Sequence, residues 1–182
     1  MGFKALSNAG ASSQNVAVGS RALYNAFGTY PNTAVGYSSM DSATTATANT
    51  AVGSYSLTPN KDGINNVAVG NAAMYESTLG NNNTAIGNDA GRFIRNNQNT
   101  AIGSAALRND STGTNNVAVG YRASFESDTA SAVTAIGTDA LFFNTLDSNV
   151  AVGYRAGRLA NANPIYPSKE QTFVGTFAGL GS

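Results

Sequence analysis

One phrase governs the chain: Asn, then Thr or Val, then Ala, then Val or Ile, then Gly. It reads NVAVG at Asn15–Gly19, NTAVG at Asn32–Gly36 and Asn49–Gly53, and NVAVG at Asn66–Gly70. It continues as NTAIG at Asn83–Gly87 and Asn99–Gly103, NVAVG at Asn116–Gly120, VTAIG from Val133, NVAVG from Asn149 and a degenerate QTFVG from Gln171. With Gly2 as a truncated first copy, the marker glycines stand at 2, 19, 36, 53, 70, 87, 103, 120, 137, 153 and 175. The period is thus 17 or 16 residues until a last step of 22. A period held along a whole chain is the signature of stacked repeats, and it bounds the fold more tightly than composition does.

Aligning the glycines brings out further columns. Three residues on stands a small residue: Ala5, Ala22, Ser39, Ser56, Ala73, Ala90, Ala106, Ala123, Ala140, Ala156 and Ala178. The next position holds Leu6, Leu23, Met40, Leu57, Met74, Leu107 and Leu141, with Gly91, Ser124, Gly157 and Gly179 as exceptions. Polar stretches rich in Gly, Asn, Ser and Thr fill the remainder, which is loop chemistry.

A unit this short cannot hold a helical hairpin, which takes about 33 residues. The fixed phrase alternates with a period of two, so Val18 shares a face with Val16 and Ala17 faces the other way. The segment around Ala22 and Leu23 predicts a second short strand. Two strands and two turns per unit describe one rung of a parallel β-solenoid. The expected fold is therefore all-β, with about eleven rungs stacked at about 4.8 Å into a rod of roughly 50 Å.

The columns then take structural jobs. Val18, Val35, Val52, Val69, Ile86, Ile102, Val119 and Val152 are expected to stack with the Leu/Met column as an apolar spine. Asn15, Asn32, Asn49, Asn66, Asn83, Asn99, Asn116 and Asn149 are expected to form an amide ladder bonding the next rung and the turn backbone. Gly19, Gly36, Gly53, Gly70, Gly87, Gly103, Gly120 and Gly153 supply a backbone angle closed to other residues. Regular rungs are expected over 1–159 and the last, degenerate repeat over 172–182. An irregular insertion over 160–171, with Pro164 and Pro167 around Ile165 and Tyr166, is expected to cap the stack or join a further domain, ahead of presenting a binding loop.

Composition narrows function. Lys plus Arg and Asp plus Glu each number 10, and the chain has no Cys, His or Trp. That excludes disulfides, thiol catalysis, Cys/His metal sites and a His general base, so no cofactor or metal is expected. Neutrality argues against nucleic acid, and no apolar run approaches the roughly 20 residues of a membrane span. Each rung offers about two sizeable apolar side chains, worth roughly 1.5–3 kcal/mol each, against a backbone ordering cost of about 1–2 kcal/mol per residue. A homo-oligomer is expected for that reason, with the Ala face buried against sister chains.

Catalysis finds no support. The carboxylates fall in different columns, and Asp89 and Asp139, which share one, lie three rungs apart, roughly 14 Å. A glycosidase needs a facing pair. The more informative pattern is basic and aromatic. Lys4, Arg21, Arg122 and Arg155 stand two after Gly, and Tyr37, Tyr121 and Tyr154 directly after it. Tyr24, Tyr75, Arg92, Arg108, Phe125, Phe142 and Arg158 share the column five after Gly. One reading is an exposed stripe that stacks on sugars and binds acidic glycans. The other is a lateral interface in which Arg packs on Tyr of the next chain.

The pattern N-[TV]-A-[VI]-G-x-x-[AS]-[LM] resembles the head repeats of trimeric autotransporter adhesins and the NTAxGxxAL repeats of phage tail fibres. The similarity runs from Gly2 to Gly179. It implies a left-handed β-roll, three chains side by side, and a segment of a longer extracellular fibre on a virion or bacterial surface. The period of 17 exceeds that of the most compact adhesin repeats, so loops are expected to bulge. The function expected is non-enzymatic attachment to a cell-surface glycan or protein. The alternative is a structural spacer or self-assembling filament unit. Ice binding ranks last, because Val16, Val67, Val117 and Val150 interrupt the Thr column.

Overall fold

The computed structural model describes residues 2–8, 10, 12–159 and 170–179. Each copy of the phrase forms a three-residue strand: β1 (Val16–Val18), β2 (Thr33–Val35), β3 (Thr50–Val52), β4 (Val67–Val69), β5 (Thr84–Ile86), β6 (Thr100–Ile102), β7 (Val117–Val119), β8 (Thr134–Ile136), β9 (Val150–Val152) and β10 (Thr172–Val174). They form one parallel sheet in chain order, and the described residues contain no helix. The fold is a parallel β-solenoid. Val18 pairs with Val35 and Val35 with Val52, while Ala pairs with Ala throughout β1 to β9. The longer last step keeps the register, since Val174 still pairs with Val152.

The Asn column locks this register. The backbone N–H of Asn32 donates to Asn15 Oδ1 at 2.8 Å, and the same bond recurs from Asn49 to Asn32, Asn66 to Asn49, Asn83 to Asn66, Asn99 to Asn83 and Asn116 to Asn99. From Asn15 to Asn116 each Nδ2 donates to a turn carbonyl of the following rung, as from Asn49 to Gly63 and from Asn66 to Gly80, both 2.7 Å, whereas Asn149 Nδ2 turns back to Asn144 Oδ1 at 2.8 Å. Most of these carboxamides are fully buried, so their hydrogen bonds must be made inside the coil. At Val133 the ladder accepts an N–H, to Asn116 Oδ1 at 2.9 Å, but passes no carboxamide on.

The marker glycine turns the corner after each strand. At Gly70 φ is +137°, and a Cβ there would lie 2.4 Å from the carbonyl oxygen of Gly87 on the next rung. Both the angle and the spacing exclude a side chain.

The opposite wall differs from the expected second strand. Residues two and four after Gly are left-handed in rung after rung: φ is 61° at Arg21 and 49° at Leu23, 56° at Tyr55 and 51° at Leu57. Alternating hands turn two successive side chains inward, so Ala22 and Leu23 are both fully buried. A strand would send one of them out. The wall is nonetheless laddered: Leu57 N–H donates to Ala73 O at 2.8 Å on the next rung and Tyr55 N–H to Tyr37 O at 2.9 Å on the previous one.

This wall corrects two expectations about the core. The strand Ala column is interior, packed within one chain against Leu, Met and the small residue beside them, and is not a face for sister chains. A Cβ on Gly91, in the Leu column, would stand 3.3 Å from the Ala85 methyl of the strand wall. The two walls therefore stand in close contact at this rung, and one Leu or Met column packed against the Ala column makes up most of the core. The Val/Ile column has no room inside and faces outward: Val18 is 47% exposed and Ile86 40%. Where the Leu column lapses, other side chains fill the space. Ile94 occupies the space above Gly91, and Phe173, replacing Ala in β10, fills that at Gly157 and Gly179. The Pro-containing stretch 160–169 lies outside the described residues.

Candidate functional site

Alternate turn-wall columns that do not point inward form one long side of the solenoid. The column five after Gly and its neighbours hold most of the cations and rings, and stacking brings six of the seven candidates together. The Arg92 guanidinium lies 5.2 Å from the Tyr75 ring and 5.4 Å from that of Phe93; Arg108 lies 5.6 Å from Phe93 and from Phe125. Phe125 stacks on Phe142 at 5.0 Å, and Arg158 covers Phe142 at 5.2 Å. Tyr24 stands apart, with Arg21 5.2 Å and Lys4 5.8 Å away, because Asp41 and Thr58 occupy the two rungs between it and Tyr75. Phe142 is itself buried and supports the arginines above it. All these cation–ring contacts are made within one chain.

Two members of the stripe were not evident from the columns alone. Phe93 sits one position off the column yet bridges Arg92 and Arg108. Asp139 gathers three arginines and is buried. For Asp139 the signal is its own column, with Arg122 one rung before and Arg155 one rung after, together with the facing of positions two and five after Gly, visible as ion pairs: Arg21 with Asp41 at 3.1 Å and Arg92 with Asp89 at 3.3 Å; no column marks Phe93.

The stripe changes character along its length. Near β4 and β5 the residue two after Gly is Ala72, and its missing side chain leaves an open groove of about 310 Å³ lined by Tyr55, Ala72, Tyr75 and Arg92. Tyr37, Tyr55 and Tyr75 continue there edge to face, with centroids 5.3 and 6.1 Å apart. Arg92 is shared between Asp89 and Glu76, so the groove carries no cationic excess. Hydrogen bonding from Tyr37, and the loss of water around it, raise the Tyr55 phenol above its ordinary value of 10.0.

Among the described residues no group of three or more Asp or Glu is placed to hold a metal ion, and no helix is long and apolar enough to cross a membrane. No family model, curated protein or solved structure matches the chain. The functional reading rests on the two outer surfaces alone. One is the ring-and-guanidinium stripe. The other is the strand face, where the Thr/Val and Val/Ile columns point outward along ten strands.

Proposed function

We propose that the chain is a non-enzymatic segment of an extracellular fibre, a phage tail fibre or bacterial surface adhesin, that attaches to a cell-surface glycan or protein. The observation that carries the reading is the stripe of stacked rings and guanidiniums on the side of the coil. Six of its seven predicted members converge there, and five of those six lie outside the core. The repeat pattern supports a left-handed roll of eleven rungs in a homotrimer. The outward Val/Ile ribbon supports the oligomer, since an apolar strip of this length calls for a partner. In this arrangement the strand faces meet sister chains and the turn walls, with the stripe, face outward.

A structural spacer or self-assembling filament unit is the second reading, favoured by the same apolar ribbon. A glycan array probed with the purified oligomer separates the two. Binding to a defined set of saccharides supports attachment; a blank array supports the spacer. Light scattering that returns a stable monomer overturns the trimer, and thermal hysteresis would restore the ice-binding reading ranked last.

A further inference from the structure

The sequence reads GYRA at Gly120–Ala123 and again at Gly153–Ala156, with GTDA at Gly137–Ala140 between them. Stacking places Arg122, Asp139 and Arg155 in one column, because Asp139 N–H donates to Tyr121 O and Arg155 N–H to Thr138 O, both 2.9 Å. Arg158 closes on the same carboxylate from the facing column. The Asp139 side chain is 2% exposed, and the arginines 30–38%.

Asp139 serves the three unequally. Both its oxygens go to Arg122, from Nε at 2.9 Å and Nη2 at 3.0 Å. Arg155 Nε and Arg158 Nε lie 3.5 and 3.9 Å from Oδ2, and both atoms are buried without a hydrogen-bond partner. Three guanidiniums thus share one carboxylate. No other carboxylate among the described residues pairs with them, so the cluster holds a local excess of two positive charges in a chain of formal net charge zero. Rings fix the guanidiniums from beneath: Arg155 over Tyr154 at 5.0 Å, Arg122 over Tyr121 at 4.8 Å, Arg158 over Phe142 at 5.2 Å. Tyr121 and Tyr154 are 49% and 41% exposed. They stand two rungs apart, roughly 10 Å by strand spacing, with Thr138 on the rung between.

We propose that this cluster binds the carboxylate of an acidic saccharide. The planar forks of Arg155 and Arg158, which Asp139 neutralises only in part, take the carboxylate, and the parts of the Tyr121 and Tyr154 side chains left uncovered by the arginines pack on the sugar ring. The inference rests on the attachment reading and names the ligand class for one part of its stripe.

The test uses the purified oligomer with an oligogalacturonate and its methyl ester, which share a backbone and differ in charge. The acid is expected to bind at least about tenfold tighter than the ester, with an affinity that falls as salt rises. The double variant Arg155→Gln/Arg158→Gln is expected to abolish that discrimination with an unchanged melting temperature, while Lys61→Gln/Arg95→Gln, an equal loss of two charges at exposed positions away from the cluster, keeps it. Tyr121→Ala, whose ring holds only the Arg122 already committed to Asp139, is expected to weaken acid and ester alike, which keeps the proposal testable if the double variant unfolds. Equal affinity for acid and ester overturns it, and so does a single-stranded oligonucleotide that binds as tightly as the acid. If neither form binds but a glycan array finds neutral binders, this inference falls and attachment stands; if the array is blank too, attachment falls with it.

Discussion

The two walls of the coil stack on the same period by opposite means. The strand wall keeps a relaxed backbone and fills its interior with Ala, one residue in two, because the alternation sends Val and Ile outside. The turn wall places non-glycine residues at φ near 50–60°, a conformation that costs roughly 1–2 kcal/mol for an L-residue, and in return buries two successive side chains. A coil only one Leu and one Ala across cannot fill itself from two strands. The core therefore comes from the strained wall, and the regular wall leaves its larger apolar residues for the outside.

The corner between the walls is where the arrangement breaks most severely. Gly70→Ala would place a methyl 2.4 Å from a backbone carbonyl that cannot withdraw without opening the ladder, at a φ of +137°. We expect loss of the cooperative fold in the neighbouring rungs, seen as early exchange of amides in β4 and β5. A variant that melts with the wild type would show that the corners are far softer than the stacking implies.

Leu57→Ala comes next, at about 3 kcal/mol for a buried Leu whose rung cannot collapse. The sharper measurement is Leu57→Gly against Leu57→Ala. At φ 51° Gly relieves the left-handed strain, so the two variants are expected to be equally stable. In the strand wall Ala68→Gly is expected to cost about 1 kcal/mol. Urea denaturation of the three variants tests whether the walls really differ in backbone strain, and equal Gly costs in both would say that they do not.

Removing a carboxamide costs less. Asn66→Ala orphans the Asn83 N–H and the Gly80 carbonyl inside the coil, for about 2 kcal/mol. The reverse experiment exists in the chain, since Val133 hands no acceptor to the rung of Asn149. Val133→Asn is expected to rejoin the ladder and raise stability by about 1 kcal/mol. A loss would mean that the apolar contacts of Val133 outweigh the missing bonds.

The parallel stacking, the Asn ladder and the glycine corners were legible because each derives from a column of identical residues and a fixed period. The hand of the turn wall was not. Nothing in the letters of Arg21 or Leu23 marks a positive φ, and the alternation in NTAVG suggested an inward Val because Val is usually the more buried residue. Only the width of the coil decides for Ala. The stripe was half legible: Arg92, Arg108, Phe125 and Arg158 share a column, and Arg122, Asp139 and Arg155 share another, but the pairing of the two columns, which brings Arg158 to Asp139 as its third arginine, is a product of the left-handed residues between them.

The last contrast lies between two equivalent turns. Asn60 and Asp110 each accept the N–H of the glycine three residues on, at 2.9 and 2.8 Å. Asn60 Nδ2 is buried and finds no partner, whereas Asp110 Oδ2 accepts from Asn116 Nδ2 at 2.8 Å. The acid satisfies both its atoms, but burial raises it from 3.8 to about 7, more than the bonds from Asn116 and Gly113 lower it, and Asp128 adds to the rise. A carboxyl whose folded value exceeds its unfolded one favours the native state below pH about 4, where it is neutral in both states. That contribution declines as pH rises through about 7 and is gone above it, with a slope of at most about 1.4 kcal/mol per pH unit. Asp110→Asn is expected to remove this slope while leaving stability at neutral pH within about 1 kcal/mol, because relief of the buried charge offsets the donor now facing Asn116. Asn60→Asp should create a second slope of the same sign. Urea melts at pH 4, 5.5 and 7.5 decide it: a slope that survives Asp110→Asn unchanged would place the titration elsewhere and leave the two turns equivalent.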